Sequence, residues 1–486
     1  MGSKSPPKMQ NLNIDIVVIG SGGAGLSAAV AAAEKGASVI VLEKLKKPGG
    51  NSARAQAFFA AESPAQKRMG IEAHRDVLFK LAMDYAHWEI NPRLVRAFIN
   101  KSGDTVRWLE DKGLKIEQLP SYPHNIRVQT FHWPEGQGAR VIDILVKSCL
   151  ALGVKIFFGT AAREIIVNPE GIIKGVLAKD KQHELNIDAR CVIVATGGFG
   201  GNKRLLRKYC PSYSDHIRSM GLPHQGDGIS MVSAIGAKTE PIVGIQMEGP
   251  LLQGSRNGRS ICMEPTMVWI NSKGERFTDE STAINHFESV NSVLQQPGKI
   301  CYSLFDETVK TIISDMIKNK VLNFRGLLNR AKTGKLLDLS KELLHESTKN
   351  TVKISSSLEE ISHWMGVDKA VLKTTIDEYN KFCAKEYDDH FLKNPAYLLP
   401  LSTPPYYAMK CCPVFLTTFG GITINHRMEV LDEQGDAVRG LYAAGNDVGG
   451  WQPATYNVLL SGATFGFALN SGRIAGENAA TYSTIS

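Results

Sequence analysis

The chain has 486 residues, a formal charge of +8, and 43% hydrophobic against 21% charged residues, the profile of a globular protein of two or three domains. No apolar run reaches the roughly 18 residues of a membrane span. Lys and Arg are dispersed, and their densest group, 203–208, reads as a solvated helix face rather than a nucleic-acid site.

The start, MGSKSPPKMQNLN, lacks the apolar stretch of a signal peptide, and Met1-Gly2 is not followed by Ser or Thr at the sixth position. The expectation is a cytoplasmic protein. Eight cysteines are scattered apart from the neighbours Cys411 and Cys412, and no C-x-x-C occurs. Zinc, iron–sulfur and c-type haem signatures are thereby excluded, and buried, reduced thiols are expected.

In chain order, residues 14–19 form a β-branched run followed by a glycine-rich turn. Residues 26–35 are Ala-rich and helix-prone, and 38–42 make a second strand, so the chain opens on a βαβ unit. Further strand-like runs lie at 154–158, 171–178 and 191–195, with a helix over 139–152. From about residue 250 the pattern predicts amphipathic helices, among them 303–319 and 367–385. After Pro404-Pro405 strand character returns at 421–424 and 428–431, and a small-residue helix, 462–480, follows. The predicted fold is α/β: a Rossmann-type nucleotide domain assembled from both chain ends, 1–248 and 399–486. A mainly helical (α+β) capping domain, 249–398, is inserted between them.

Gly20-Ser21-Gly22-Gly23-Ala24-Gly25 matches G-x-G-x-x-G between a strand and a helix. The first glycine permits the tight turn, the second lets backbone approach a pyrophosphate, and the third allows close helix–strand packing. The helix N-terminus adds unpaired N–H groups and a positive dipole end. Glu43 ends the second strand, where a carboxylate accepts the adenosine ribose hydroxyls and disfavours a 2′-phosphate. Alone, this unit fits NAD or FAD equally. Three further features point to FAD: a second glycine turn, Gly49-Gly50-Asn51-Ser52, and two strands that end in Ala195-Thr196-Gly197 and Ala444-Gly445-Asn446. The candidate FAD-binding set runs through Gly20, Gly22, Gly23, Ala24, Gly25, Glu43 and Lys44. It continues with Gly50, Asn51, Ser52, Ala162, Ala195, Thr196, Gly197 and Asp227, and ends with Gly445, Asn446, Ser461 and Gly462.

The ordered series of GGNS, ATGGFGGN (195–202), GDGISM (226–231), WINSKGERFTDE (269–280), GGITIN (420–425), GLYAAGN (440–446) and SGRIAG (471–476) extends over nearly the whole chain. It resembles the FAD-binding flavoproteins of the fumarate reductase and 3-ketosteroid dehydrogenase family. The resemblance implies that Asn446 contacts the ribityl chain and that helix 462–480 aims its N-terminus at the flavin pyrimidine, stabilising negative charge there. Relatives that attach FAD covalently carry a His in the region of Asn51, so the FAD is expected to be non-covalent.

By the same resemblance, Ile284, Glu248 and Leu459 stand where fumarate reductases place an Arg, a His and an Arg that hold and protonate a dicarboxylate. ATYNVLLSGATFG (454–466) is more similar to the ketosteroid dehydrogenase version, in which a Tyr hydroxyl and a glycine N–H polarise a ketone. Gly462 matches that glycine. Tyr456 lies two residues earlier than strict alignment places the Tyr, and a packed aromatic at a domain seam is the competing role. His286 and Glu248 are candidates to exchange protons at the cap–flavin junction. Arg276 is expected to be structural, and His132 and Trp133 either line the pocket or sit in the core.

The expected chemistry is hydride transfer between flavin N5 and an activated C–C or C=C bond beside a carbonyl, on an enone or ketone that is cyclic or steroid-like. The alternatives are a reductase or dehydrogenase of an unsaturated carboxylate and, in another class, a non-catalytic flavin electron-transfer or sensor protein. With no second dinucleotide motif, an external electron donor or acceptor is expected.

Overall fold

Strand β1 (Lys8–Ile19) runs down the middle of the largest sheet. It belongs to a computed structural model that describes residues 8–121, 128–255, 260–321 and 334–485. The expectations attached to Met1 and Gly2 lie outside the described residues. After β1 come α1 (Gly23–Glu34) and β2 (Val39–Glu43), the expected βαβ unit. The sheet then gains β3 (Lys155–Phe158), β4 (Ala161–Val167), β5 (Ile173–Lys179) and β6 (His183–Val194).

Strand β7 (Gly244–Leu252) leads towards the cap, where α2 (His286–Leu294) and β8 (Cys301–Phe305) follow. The 14-residue β9 (Tyr406–Phe419), β10 (Ala437–Ala443) and the closing helix α3 (Ala463–Ile485) complete the labelled elements. In the large sheet the order is Glu429–Leu431, β10, β6, β1, β2, β3, with β5 also paired to β6 and β4 to β5. The pairs β10–β6, β6–β1, β1–β2 and β2–β3 are all parallel. Val17, Val18, Val41 and Val192 are fully buried there, as β-branched residues are in a sheet covered on both faces.

The two chain ends meet helix against helix. A Cβ on Gly472 of α3 would come within 2.2 Å of the Ala24 carbonyl oxygen, and one on Gly476 within 2.2 Å of that of Ala28. Only glycine lets α3 lie this close on the Ala-rich α1, which is why the sequence is small-residue-rich on both helices.

The cap holds helices and a second, six-stranded sheet. β9 is its hub, pairing with β7, β8, Val352–Ser355 and Arg218–Ser219. One face packs Trp269 and Phe305 against Val309, Ile313 and Ile317 of helix Glu307–Lys318. The other packs Val268 and Leu304 against Leu372 and Ile376 of helix Lys369–Ala384. The helix expected over 303–319 is therefore a strand and a helix in succession. β8 ends at Phe305, and Asp306 caps the helix by accepting from Val309 N at 3.1 Å. Residues 421–424 make only isolated bridges, through Ile422 and Ile424. The basic run 203–208 lies on helix Lys203–Tyr209, with Leu205 and Leu206 buried and the charges outward. None of the eight cysteines forms a disulfide, and seven are buried. Among the described residues no helix is long and apolar enough to cross a membrane.

Candidate active site

The C-terminal ends of β1, β2, β6 and β10 converge on one cleft of about 830 Å³, mouth included. Of the expected cofactor positions, Gly20, Gly22, Gly23, Ala24, Glu43, Lys44, Gly50, Asn51, Ser52 and Ala162 line it. So do Ala195, Thr196, Gly197, Asp227, Gly445 and Asn446. Gly20 has φ +107, and a Cβ there would meet the Ala195 carbonyl oxygen at 2.3 Å, so the turn requires glycine. Gly25 does not line the cleft. A Cβ on it would sit 1.9 Å from the Gly20 carbonyl oxygen, which makes it the helix–strand packing glycine.

Glu43 is 8% exposed. Its Oε2 accepts from Ser21 N (3.0 Å) and Ser21 Oγ (2.7 Å), and its Oε1 from Leu45 N (2.8 Å). The carboxylate is thus oriented at the cleft wall while each oxygen keeps accepting capacity. Lys44 and Asp227, also on the wall, form a 2.5 Å ion pair that links the end of β2 to the helix Asp227–Ala234. Ser52 Oγ accepts from Gly23 N at 3.1 Å, and Asn51 Oδ1 from Leu222 N at 2.7 Å.

Two residues that sequence reasoning passed over shape this cleft, His224 on its wall and Asp447 behind the Thr196–Gly198 turn. Asp447, 1% exposed, accepts from the Thr196 and Gly198 groups, Oδ1 at 2.9 Å from both Thr196 Oγ1 and Gly198 N, and Oδ2 from Thr196 N and, at 3.1 Å, Gly197 N. It ties the Ala-Thr-Gly turn to the Ala-Gly-Asn turn, and burial pushes its carboxyl up. Its signal was an acidic residue directly after AAGN. His224 lines the cleft between Gly197 and Gly50, and burial pushes its imidazole down. No pattern of spacing marked it.

The cleft fits a dinucleotide on two observations. Asn446 donates from Nδ2 to Thr417 Oγ1 at 3.0 Å, yet its buried Oδ1 has no protein partner; such an orphan calls for a ligand donor. Nothing lies nearer than 4.0 Å to a Cβ built on Gly22 or 3.7 Å to one on Gly50, so both backbones open onto free space.

Ser461 and Gly462 do not line this cleft. Ser461 Oγ donates to Val458 O at 2.8 Å and is buried. Gly462, with φ +83, lies on the strand Phe58–Phe59, and its carbonyl accepts from Phe59 N at 3.0 Å. Together they form the entry to α3. There the Tyr456 hydroxyl accepts from Ala463 N at 3.0 Å. Burial pushes the phenol up to about 12, so it stays protonated at neutral pH. Its ring lies 4.5 Å from that of Phe287, which in turn lies 4.0 Å from His286. His286 Nε2 stands 3.7 Å from Glu248 Oε1, and the two come from α2 and β7. Sequence-distant candidates Tyr456, Gly462, His286 and Glu248 thus gather where the cap meets α3.

His132 belongs to the core. Fully buried, it contacts Ser63 Oγ through Nε2 (2.7 Å) and Thr130 O through Nδ1 (2.9 Å), and burial pushes it down to about 4. Arg276 is structural. It pairs with Glu280 and Asp388, both at 2.8 Å, while Lys393 reaches Glu280 at 3.1 Å. This buried cluster holds the turn Glu280–Asn285 that delivers His286 to the start of α2.

A two-ended Rossmann domain with this cleft, under a cap, defines an FAD-dependent oxidoreductase acting on CH–CH or C=C bonds. The chain belongs to the FAD binding domain family, whose model matches residues 15–457. It is 31% identical to a vinyl phenol reductase of Lactiplantibacillus plantarum over 96% of each chain. Among solved structures it is similar to the open conformation of a flavocytochrome c3 fumarate reductase, with TM-score 0.76 and 26% identity over 97% of this chain and 79% of that one. It also shares the fold of a 3-ketosteroid dehydrogenase from Rhodococcus jostii, with TM-score 0.76 and 22% identity over 96% of this chain and 97% of that one.

Proposed function

We propose that this chain reduces a C=C bond conjugated to a carbonyl or phenol oxygen in an apolar, cyclic molecule, using non-covalently held FAD and electrons from an external donor. The observation that carries the reading is the protonated Tyr456 hydroxyl held at the N-terminus of α3. When bound, FAD supplies the hydride to the carbon β to the activating group. With a conjugated carbonyl the substrate oxygen gains negative charge as this happens, and Tyr456 donates a hydrogen bond to it while the helix N-terminus favours the charge. Gly462 N–H adds to the same field. Phe287 and Tyr456 offer aromatic faces to a ring, and the His286–Glu248 pair holds the proton for the α carbon. The cap keeps water from the reacting centre.

Kinship to a vinyl phenol reductase supports an uncharged, ring-bearing substrate. So do Ile284, Glu248 and Leu459 at the positions where fumarate reductases carry their dicarboxylate-holding residues. The test is stopped-flow reoxidation of anaerobically photoreduced enzyme by 4-vinylphenol, 2-cyclohexen-1-one and fumarate. One of the first two should reoxidise it at least tenfold faster than fumarate, and Tyr456→Phe should slow that step about 10²-fold, the scale of one lost oxyanion donor. Fastest reoxidation by fumarate would overturn the substrate reading.

A further inference from the structure

Among the described residues, the titratable groups that line the FAD cleft are Glu43, Lys44, His224 and Asp227. Two carboxylates stand there with one ammonium, and Lys44 is already paired with Asp227 at 2.5 Å. A pyrophosphate brings further negative charge to this wall, and the backbone N–H groups at the start of α1 offset only part of it. We propose that His224 is the pyrophosphate's cationic partner: its imidazole takes up a proton as FAD binds and donates a charge-assisted hydrogen bond to the phosphate oxygens, whatever substrate the enzyme reduces.

The ring stands across from the pyrophosphate turn. A Cβ built on Gly50 would lie 3.7 Å from Gly22 Cα and 4.0 Å from His224 Nε2, so the space in front of Gly50 is bounded by both. Gly22 is the glycine whose backbone a pyrophosphate approaches. The same ring lies against Gly197, where a Cβ would meet Nε2 and Cε1 at 3.1 Å. The loop that carries it is tied to the cofactor turns by backbone bonds. Leu222 N donates to Asn51 Oδ1 at 2.7 Å, Gly201 N to the His224 carbonyl at 2.7 Å, and Gly226 N to the Gly198 carbonyl at 3.2 Å. Among the described residues no hydrogen bond reaches the ring itself, so its N–H is open to a ligand acceptor.

The charged groups that face the imidazole are Lys44, Glu43 and Asp227. Burial first, and then the Lys44 charge, push it down against the pull of the two carboxylates, so the apoprotein holds it neutral at neutral pH. A dianionic pyrophosphate reverses that balance and raises it. The complex then binds more protons than the apoprotein, and affinity for FAD rises as the pH falls through the imidazole pKa of the complex.

In the experiment, holoenzyme is diluted at a series of pH values and released FAD is read by its fluorescence, which gives the dissociation constant. From about pH 8 to about pH 6 the wild-type constant should fall about tenfold, the scale of one charge-assisted hydrogen bond. His224→Gln keeps a neutral donor but cannot take the proton. Its constant should stay flat with pH and be about tenfold larger than the wild type's at the acid end. The affinity of ADP-ribose, measured by its displacement of FAD, should show the wild-type pH dependence, and that of adenosine, which lacks the phosphates, should show none. The two competitors act on the wild type alone, so the result stands even if His224→Gln fails to fold. A flat wild-type profile, a His224→Gln profile as steep as the wild type's, or equal pH dependence for adenosine and ADP-ribose would overturn the proposal.

Discussion

At Glu43 both carboxylate oxygens are oriented by three donors from Ser21 and Leu45, so the side chain is fixed before any ligand arrives. A preorganised acceptor loses little entropy on binding. Glu43→Ala should therefore weaken FAD binding at least tenfold, since each charge-assisted hydrogen bond is worth about 1.5–3 kcal/mol. Titration of apoprotein with FAD, followed by flavin fluorescence, measures this, and unchanged affinity would remove Glu43 from the ribose. Residues such as Glu43 and Gly20 were legible in the sequence because a strand–turn–helix unit fixes their places by spacing alone. Asp447 and His224 were not. Asp447 acts on a turn 250 positions away, and His224 reaches the cleft through a loop, so no local period points to either.

At the scale of elements, α1 and α3 depend on the absence of a side chain at their contact. Gly472→Val would press a branched side chain into the Ala24 carbonyl, where even a Cβ comes to 2.2 Å. The cost should be roughly 1–3 kcal/mol or more, as for overpacked cores. A lower urea midpoint at an unchanged slope shows it, and an unchanged midpoint would mean that the helices slide apart freely. The amphipathic helix 369–384 and the first strands were readable from their periodicity. The long strand β9 was not, although it is the hub of the cap sheet. It is buried on both faces at Ala408, Met409 and Cys411, so it has no alternation, and Pro413 breaks the pattern of a central strand. The run 303–319 misleads for the opposite reason: a short buried strand and a helix abut at Asp306, and their apolar residues merge into one apparent stripe.

Across the whole molecule, the cleft draws its walls from β1, β2, β6 and β10, which come from opposite ends of the sequence. FAD held there without a covalent bond should stabilise the folded state by mass action. Denaturation with acid should leave a colourless pellet and a yellow supernatant containing FAD, and the apoprotein should melt at a lower temperature that rises with added FAD. A yellow pellet would show a covalent link and overturn the non-covalent proposal.

The α1–α3 contact also has a consequence in time. A nascent chain presents α1 early, while its partner helix is still untranslated. At roughly 5–20 residues per second, about 20 to 90 seconds separate the emergence of the two. Throughout that interval the opening βαβ unit carries a bare apolar helix face with no native cover. The cleft, too, stays incomplete until Gly445, Asn446 and Ala468 have been made, so its last wall arrives near the end of synthesis.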